Sequence, residues 1–160
     1  MRIEYFQLID RIVGLDLARD TIRVEADVPL ASTIFEGHFP GHPLMPGVLL
    51  IEAMAQTSGW LVIGKTGFQR MPFLATVKEA KFRTFVTPGQ RLDIEAVLDH
   101  EGSGFAVTKA RVKSAGKPIC EAALTFRLSP FPSDAFRNEM RATAERLSFP
   151  AAALTEADNA

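Results

Sequence analysis

Cysteine is nearly absent from this sequence of 160 residues, and Cys120 is the only one. A single cysteine cannot form an intramolecular disulfide, and no Cys/His spacing typical of a zinc site occurs, so we expect neither a disulfide framework nor a structural metal. This cysteine usage favours a reducing, cytoplasmic location. Cys120 lies on the apolar face of a predicted strand, and we interpret it as a core residue rather than a nucleophile.

An excess of one charge is also lacking: 18 basic and 19 acidic side chains give a net charge of -1. No global field therefore attracts nucleic acid or an anionic membrane. Apolar residues make up 47% of the chain and charged residues 23%, which is typical of a folded globular protein and excludes a disordered one. The first residues include Glu4 and Asp10, where a signal peptide would need an uninterrupted apolar run.

Only one long hydrophobic run is present, from Gly47 to Gly64. It contains Glu52 and Gln56, and a carboxylate near its middle makes it a poor membrane span. A helix that is apolar on nearly every face must be surrounded by protein. We therefore predict a buried core helix that begins near Pro46 and ends near Gly64, with no insertion into a membrane.

Around this helix, apolar residues alternate with polar ones in a period of two. The alternation predicts half-buried strands at Thr21 to Val28, Arg91 to Glu101, Phe105 to Lys113 and Pro118 to Leu128. Pro72 to Val86 is predicted to form two shorter extended pieces. Five or six strands, mostly an antiparallel meander, thus accompany one helix. The fold class is α+β.

The segment SPFPSD at 129–134 interrupts the last strand, because two prolines in four residues cannot continue a ladder. We place a domain boundary there, with one domain at 1–130 and a C-terminal extension at 131–160. The spacing of apolar residues predicts a short amphipathic helix at 134–147, packed against the body. The remainder, from Pro150, is predicted to be frayed.

The stretch GHFPGHPLMPGVLLIEAMAQ, residues 37–56, carries the chemistry. Three glycines and three prolines precede the buried helix, and irregular loops of this kind often build sites. His38 can act as a base, and Glu52 in an apolar setting can hold a proton to donate. Free amides at the helix N-terminus can polarise a carbonyl. Proton removal beside a carbonyl is the reaction class indicated. A metal site with His42 is disfavoured, since no helix aligns the two imidazoles.

The same stretch resembles the signature of the FabZ-type 3-hydroxyacyl-acyl-carrier-protein dehydratases, and the resemblance extends from about Tyr5 to Leu128. It implies a hot-dog fold, in which a curved antiparallel sheet wraps around a long central helix. It also implies a homodimer with shared sites at the subunit interface, and further assembly into a hexamer as a trimer of dimers. The implied partner is an acyl carrier protein that presents the substrate on phosphopantetheine. No cofactor is implied.

By the same resemblance, His38 is the base that takes the C2 proton, and Glu52 of the neighbouring subunit protonates the departing C3 hydroxyl. The amide of Gly47 holds the thioester oxygen, and the carbonyl of Leu44 orients His38. Gln56 lies one helical turn beyond Glu52 and is expected to support it. Related FabA-type enzymes, which also isomerise the product, carry aspartate at the acid position, so Glu52 indicates dehydration alone.

An acidic carrier protein favours a basic rim on a nearly neutral enzyme. The candidates for this rim are Arg70, Lys78, Lys81 and Arg83. Aromatic residues are candidates for lining or gating an acyl tunnel. These are Phe39, Phe68 and Phe73, although such aromatics are more often packing residues.

The segments EYFQLIDR (4–11) and DHEGSGFAVTKA (99–110) resemble more closely a divergent branch of the family, linked to very-long-chain fatty acids of lipid A. Two rival classes stay open. One is another hot-dog thioester enzyme, a thioesterase or an enoyl-CoA hydratase. The other is a non-catalytic subunit that binds the acyl carrier protein. The pairing of His38 with Glu52 favours the dehydratase over both.

Overall fold

The computed structural model describes residues 1–151. Six strands and three α-helices make up this part of the chain. The strands are β1 (Arg11–Asp16), β2 (Thr21–Asp27), β3 (Met71–Phe82), β4 (Arg91–Gly102), β5 (Phe105–Ser114) and β6 (Lys117–Ser129), and the helices are α1 (Thr33–Gly37), α2 (Gly47–Lys65) and α3 (Asp134–Arg146). A short 3-10 helix, Ile3–Tyr5, precedes them. The predicted frayed tail lies mostly outside the described residues.

All six strands form one antiparallel sheet in the order β1-β2-β4-β5-β6-β3. Its core face follows from the alternation in the sequence: Ile22, opposite Ala96, and Val24, opposite Ile94, are all buried. Successive side chains of a strand point to opposite faces of the sheet, so every second side chain lies on the same face. The predicted α+β architecture is therefore present, with six strands where five or six were expected.

Strand β3 differs from the sequence-based expectation of two short pieces. It is one strand of 12 residues that pairs with β6, with irregularities in register between Leu74 and Thr76 and between Lys78 and Lys81. At each irregularity the alternation of side chains between the two faces of the sheet is interrupted. The interruption makes one continuous strand resemble two shorter ones in the sequence.

Helix α2 packs against strands β2 to β6 and forms the centre of the core. It extends one residue beyond the predicted end, to Lys65. The helix has 19 residues, and its apolar stretch, with a mean hydropathy of 1.3, is long enough to cross a membrane. However, 67% of that stretch is buried inside the fold. From Ala53 to Gly64 the helix is almost completely buried, which explains why it is apolar on nearly every face, whereas Val48 in its first turn is 71% exposed. It is the core helix of the fold.

Strand β3 is an edge of the sheet, and its exposed side chains include large apolar ones. Phe73, Leu74, Val77 and Phe82 are all more than a third exposed in this single chain, and Phe85, just beyond the strand, is 76% exposed. An exposed, apolar edge is a template for pairing with another chain.

Helix α3 packs against the body of the domain. Ala144 and, just past the helix, Phe149 belong to the hydrophobic core. Ser133 caps the helix by accepting a hydrogen bond from the backbone N–H of Phe136. The extension thus contributes to the same core through Ala144 and Phe149.

Candidate active site

The loop between α1 and α2 is held by its own hydrogen bonds. Ser32 caps the start of α1. At its other end the backbone N–H of His38, the C-cap residue, donates to the carbonyl of Ile34. Phe39 and His42 exchange two backbone hydrogen bonds of 3.1 and 2.9 Å. These hydrogen bonds fix the backbone of the loop, although the loop belongs to no helix or strand. A side chain can be oriented precisely only on a backbone that is itself fixed.

His38 and Leu44 are connected twice. The N–H of Leu44 donates to the carbonyl of His38 over 2.8 Å, and Nδ1 of the imidazole lies 2.9 Å from the carbonyl oxygen of Leu44. Because a carbonyl oxygen only accepts, this partner assigns the proton of the neutral ring to Nδ1. Nε2 then carries the free lone pair and is the atom that can take a proton.

A cavity of about 360 Å³, here called the His38 cavity, is lined by His38, Phe39, Gly47 and Phe82 among others. The ring of Phe39 stacks on the imidazole with the centroids 4.2 Å apart. Gly47 is the first residue of α2, and the first N–H groups of a helix have no partner within it. The cavity therefore brings a base and the positive end of a helix dipole together.

A neighbouring side chain also approaches the backbone of Gly47 closely. A Cβ atom at this position would lie 3.0 Å from Cε1 of Phe82. The aromatic ring packs directly over the start of the helix, and only a residue without a side chain leaves both in place. Glycine here has a packing reason in addition to the one that the resemblance implies.

Glu52 is half-buried, and Gln56 holds it in place. The side-chain N–H₂ of Gln56 donates to Oε1 of Glu52 over 3.1 Å and to the carbonyl of Phe6 over 2.8 Å. The amide oxygen of Gln56 accepts from the N–H of Leu8 over 3.1 Å. Gln56 thus connects the N-terminal segment to the carboxyl group. Since Oε1 accepts from Gln56, Oε2 is left to carry a transferable proton.

Glu52 opens onto a different cavity, of about 750 Å³, here called the Glu52 cavity. Leu50 lines the His38 cavity and Glu52 does not, because residues two apart point to opposite sides of a helix. Within one chain, α2 itself therefore separates the candidate base from the candidate acid.

The four candidates for the basic rim are all exposed, but they do not form one cluster around a single cavity. Arg83 lines the His38 cavity and pairs with Glu121 at 2.7 Å. Lys81 lies with Glu121 in a separate depression that residues of β3, β4, β5 and β6 line. Lys78 is on the edge strand, and Arg70 immediately precedes it. Arg83 is the member of the set that lies beside the candidate base.

The three aromatic candidates differ in position. Phe39 lines the His38 cavity. Phe73 is 46% exposed on the edge strand. Phe68 is fully buried and packs edge to face against Phe149, with ring centroids 5.5 Å apart. Phe68 reaches neither of the two cavities, so its position is that of a core residue and not of a gate.

The sequence-based site omitted residues that the fold brings in from a distance. Phe82 and Phe85 contribute to the His38 cavity from the end of β3, and Phe6 contributes its carbonyl to the support of Gln56. Their only signal in the sequence was aromatic content in a segment next to a turn.

Burial raises the pKa of the Cys120 thiol to about 12, and the neighbouring Glu121 adds to the effect. A thiol in this environment is inert at neutral pH.

Comparison with known proteins gives relatives of similar length and one much longer relative. Residues 2–123 match the model of the FabA-like domain. The FabZ 3-hydroxyacyl-[acyl-carrier-protein] dehydratase of Latilactobacillus sakei is 38% identical over 120 residues, which cover 74% of this chain and 85% of the relative. The bifunctional enzyme LpxC/FabZ of Chlorobaculum tepidum is 40% identical over 121 residues, or 74% of this chain, and this chain spans only 26% of that longer protein.

A solved structure agrees on the fold. The hypothetical thioesterase of Streptococcus pneumoniae, in a complex with coenzyme A, superposes with a TM-score of 0.60 at 17% identity, over 77% of this chain and 88% of the other. The predicted hot-dog fold is confirmed. At this identity the likeness concerns the architecture and not the reaction.

Proposed function

This chain belongs to the family of FabA-like domains, and from that premise we propose that it is a 3-hydroxyacyl-[acyl-carrier-protein] dehydratase. It removes water from a (3R)-3-hydroxyacyl thioester and releases the trans-2-enoyl thioester. Relatives at 36 to 38% identity, of which the chain covers 85%, carry the name of this enzyme. The observation that carries the proposal is the hydrogen bond from the His38 ring to the carbonyl of Leu44, which leaves Nε2 as a base inside a cavity.

The geometry supports one sequence of steps. Nε2 of His38 takes the proton from C2 of the substrate, while the amide of Gly47 stabilises the negative charge that develops on the thioester oxygen. The electrons of the C2–H bond form the C2–C3 double bond, and the C3–O bond breaks. Glu52 gives its proton to the departing hydroxyl, which leaves as water. The imidazolium and the carboxylate then exchange one proton through solvent, and both groups return to their starting states.

The site is completed by a second copy of the chain. His38 and Glu52 open onto separate cavities of one protomer, so Glu52 must come from the partner subunit to meet the substrate held at His38. The apolar edge strand β3 favours pairing of this kind. A two-fold axis would create two equivalent sites per dimer. Assembly of three such dimers into a hexamer stays a prediction from the resemblance.

The substrate arrives on an acyl carrier protein. Arg83, beside the His38 cavity, is suited to the phosphate of the phosphopantetheine arm, and the exposed Lys78 and Lys81 on β3 are separate candidates for contact with the acidic carrier. Arg83 is paired with Glu121 in the free protein, and a phosphate would compete for its guanidinium. We place the reaction in the cytoplasm, in bacterial fatty acid synthesis. A role in the synthesis of the very-long-chain fatty acids of lipid A remains a prediction, which depends on the acyl chain length that the enzyme prefers.

Turnover with matched variants tests the proposal. 3-Hydroxydecanoyl thioesters on an acyl carrier protein and on CoA would be incubated with the wild type, His38→Ala and Glu52→Gln, and the trans-2-enoyl product measured. His100→Ala and Glu101→Gln are the controls, since both side chains are exposed and far along the sequence from the site. We expect product from the wild type and the controls only, with a loss of about a hundredfold or more in the two site variants.

The rival functions give other results. Release of free fatty acid and thiol would identify a thioesterase, and turnover on CoA with none on the carrier would identify a hydratase of CoA esters. Stable binding of the acylated carrier without any product would identify a binding subunit. Each of these outcomes contradicts the proposal.

A further inference from the structure

The Glu52 cavity follows one face of helix α2. Its lining includes Glu52, Gln56, Trp60 and Ile63, at successive spacings of four, four and three residues. Such residues lie above one another along a helix. With a rise of 1.5 Å per residue, the distance along α2 from Glu52 to Ile63 is about 16 Å. The cavity is thus an elongated channel that starts at the candidate acid and continues into the body of the domain.

Helix α3 forms part of the wall of this channel. Met140, Thr143 and Leu147 line it, and their spacing of three and four residues places them on one face of α3. This helix lies beyond residues 2–123, the part of the chain that matches the family model. The wall is therefore built by a segment that the family match does not include.

The C-terminal end of α3 is anchored at the end of the channel that is remote from Glu52. The ring of Phe149 contacts Trp60, with centroids 6.1 Å apart, and a Cβ at Gly64 would lie 2.9 Å from Cζ of Phe149. The carbonyl of Leu147 accepts a 2.7 Å hydrogen bond from the N–H of Ile12. These contacts fix α3 against the second half of α2 and against β1.

The chemistry of the channel suits an acyl chain. Away from Glu52, Trp60, Ile63, Met140 and Leu147 supply apolar surface, and Thr143 and Arg146 of α3 line the same cavity. Its volume of about 750 Å³ is in the range of sites that enclose a small ligand. An acyl chain whose C3 carbon lies at Glu52 has this channel as its apolar continuation, and the wall of the channel includes α3.

We propose that α3 is the end wall of the acyl-chain channel, and that Met140 and Leu147 set the longest chain that the enzyme accepts. The inference rests on the proposed function, since it assigns the channel to the acyl group of that substrate. A larger side chain at Met140 shortens the channel, and a smaller one lengthens it. The two changes must therefore move the chain-length preference in opposite directions.

The experiment compares Met140→Trp, Met140→Ala and the wild type on 3-hydroxybutyryl, 3-hydroxydecanoyl and 3-hydroxypalmitoyl thioesters. Asn138→Trp is the matched control, because Asn138 is exposed and lies two residues away, on the opposite side of α3. We expect Met140→Trp to lower kcat/KM for the longest substrate roughly tenfold more than for the shortest. Met140→Ala should raise the ratio of long-chain to short-chain kcat/KM, and Asn138→Trp should leave it unchanged.

A binding measurement separates this inference from the proposed function. 3-Hydroxy fatty acids of the same lengths would be used to displace a fluorescent fatty acid, and circular dichroism would verify that each variant is folded. If no thioester is turned over but the Met140 variants change the length dependence of displacement, the proposed function is wrong and the end wall stands. The inference is overturned if folded Met140→Trp has the same length profile as the wild type, if Asn138→Trp changes the profile equally, or if the wild type binds none of the acids.

Discussion

His38 and Glu52 lie on opposite sides of helix α2 and open onto different cavities of the same chain. A base and an acid that act on adjacent carbons of one substrate must both reach it within a few ångströms. One chain does not bring them together, and we propose that two-fold pairing of chains along the apolar edge does. On this proposal the catalytic unit is a dimer with two composite sites.

Mixing two inactive variants tests this shared site. His38→Ala and Glu52→Gln should each be inactive alone, and a refolded equimolar mixture should recover about a quarter of the wild-type activity. Half of the randomly paired dimers are mixed, and each mixed dimer has one site in which both residues are intact. Recovery would be measured after unfolding and refolding the variants together. A mixture that stays inactive while mixed dimers form, as mass spectrometry can verify, would contradict a site shared between chains.

The contact between Gly47 and Phe82 leads to a second prediction. Gly47→Ala retains the backbone N–H but places a Cβ about 3.0 Å from the ring of Phe82, so the ring or the helix start must move by a few tenths of an ångström. We expect kcat/KM to fall roughly tenfold, because stabilisation of a developing oxyanion depends on donor position. The melting temperature should change little, since alanine favours helices more than glycine does.

The double variant with Phe82→Leu is the control for this interpretation. Leucine lacks the outer ring atoms that a Cβ at position 47 would meet, so it should restore most of the activity of Gly47→Ala. Equal kinetics of Gly47→Ala and the wild type would show that the ring moves away without consequence for the site.

Much of the fold could be predicted from the sequence because its signals are local. The alternation in β2, β4, β5 and β6 and the apolar run of α2 each report burial of one element, and their predicted bounds agree with the structure to within about two residues. Strand β1 was missed because Gly14 and a register shift after Ile12 interrupt its alternation. Helix α1 has only five residues, too few for a periodic signal.

The arrangement of the site could be predicted only in part. The residues of the loop and of α2 form one continuous stretch, so the spacing from His38 to Glu52 is visible in the sequence. The contributions of Phe6, Phe82 and Met140 arrive from distant segments. Their positions follow from the register of the sheet and from the packing of α3. Neither the register nor this packing can be predicted from a local pattern in the sequence.

Gln56 is the subject of a third prediction, as a positioning residue for Glu52. Gln56→Leu removes both donors and leaves the buried N–H of Leu8 without its acceptor. An unsatisfied buried N–H costs about 1–3 kcal/mol, so the free energy of unfolding should fall by that amount, and kcat should fall more than KM rises. Gln69→Leu is the matched control at an exposed glutamine.

Gln56→Glu separates positioning from stability. Its carboxylate can still accept from the N–H of Leu8, but it can no longer donate to Oε1 of Glu52. The free energy of unfolding should therefore lie closer to the wild-type value than in Gln56→Leu, whereas kcat should fall as it does in that variant. A purely structural role would restore kcat together with the stability.

Cys120 gives a prediction on pH and stability. Burial raises the pKa of its thiol in the folded protein to about 12, from an ordinary value of 9.0. The unfolded chain therefore releases the thiol proton at lower pH than the folded chain does. The stability that the buried neutral thiol contributes is complete below pH 9.0 and is lost as the pH rises toward about 12.

Urea unfolding of the wild type and Cys120→Ala between pH 7 and pH 11 measures this effect. Near neutral pH the variant should be less stable by about 1 kcal/mol, because it leaves a small cavity. Above pH 9 the free energy of unfolding of the wild type should fall more steeply than that of the variant, by about 1.4 kcal/mol per pH unit at most. Lysines and other groups titrate equally in both proteins, so the difference isolates the thiol. Parallel curves over the whole range would mean that the thiolate forms as readily in the folded chain, and that Cys120 is more accessible than its place in the core implies.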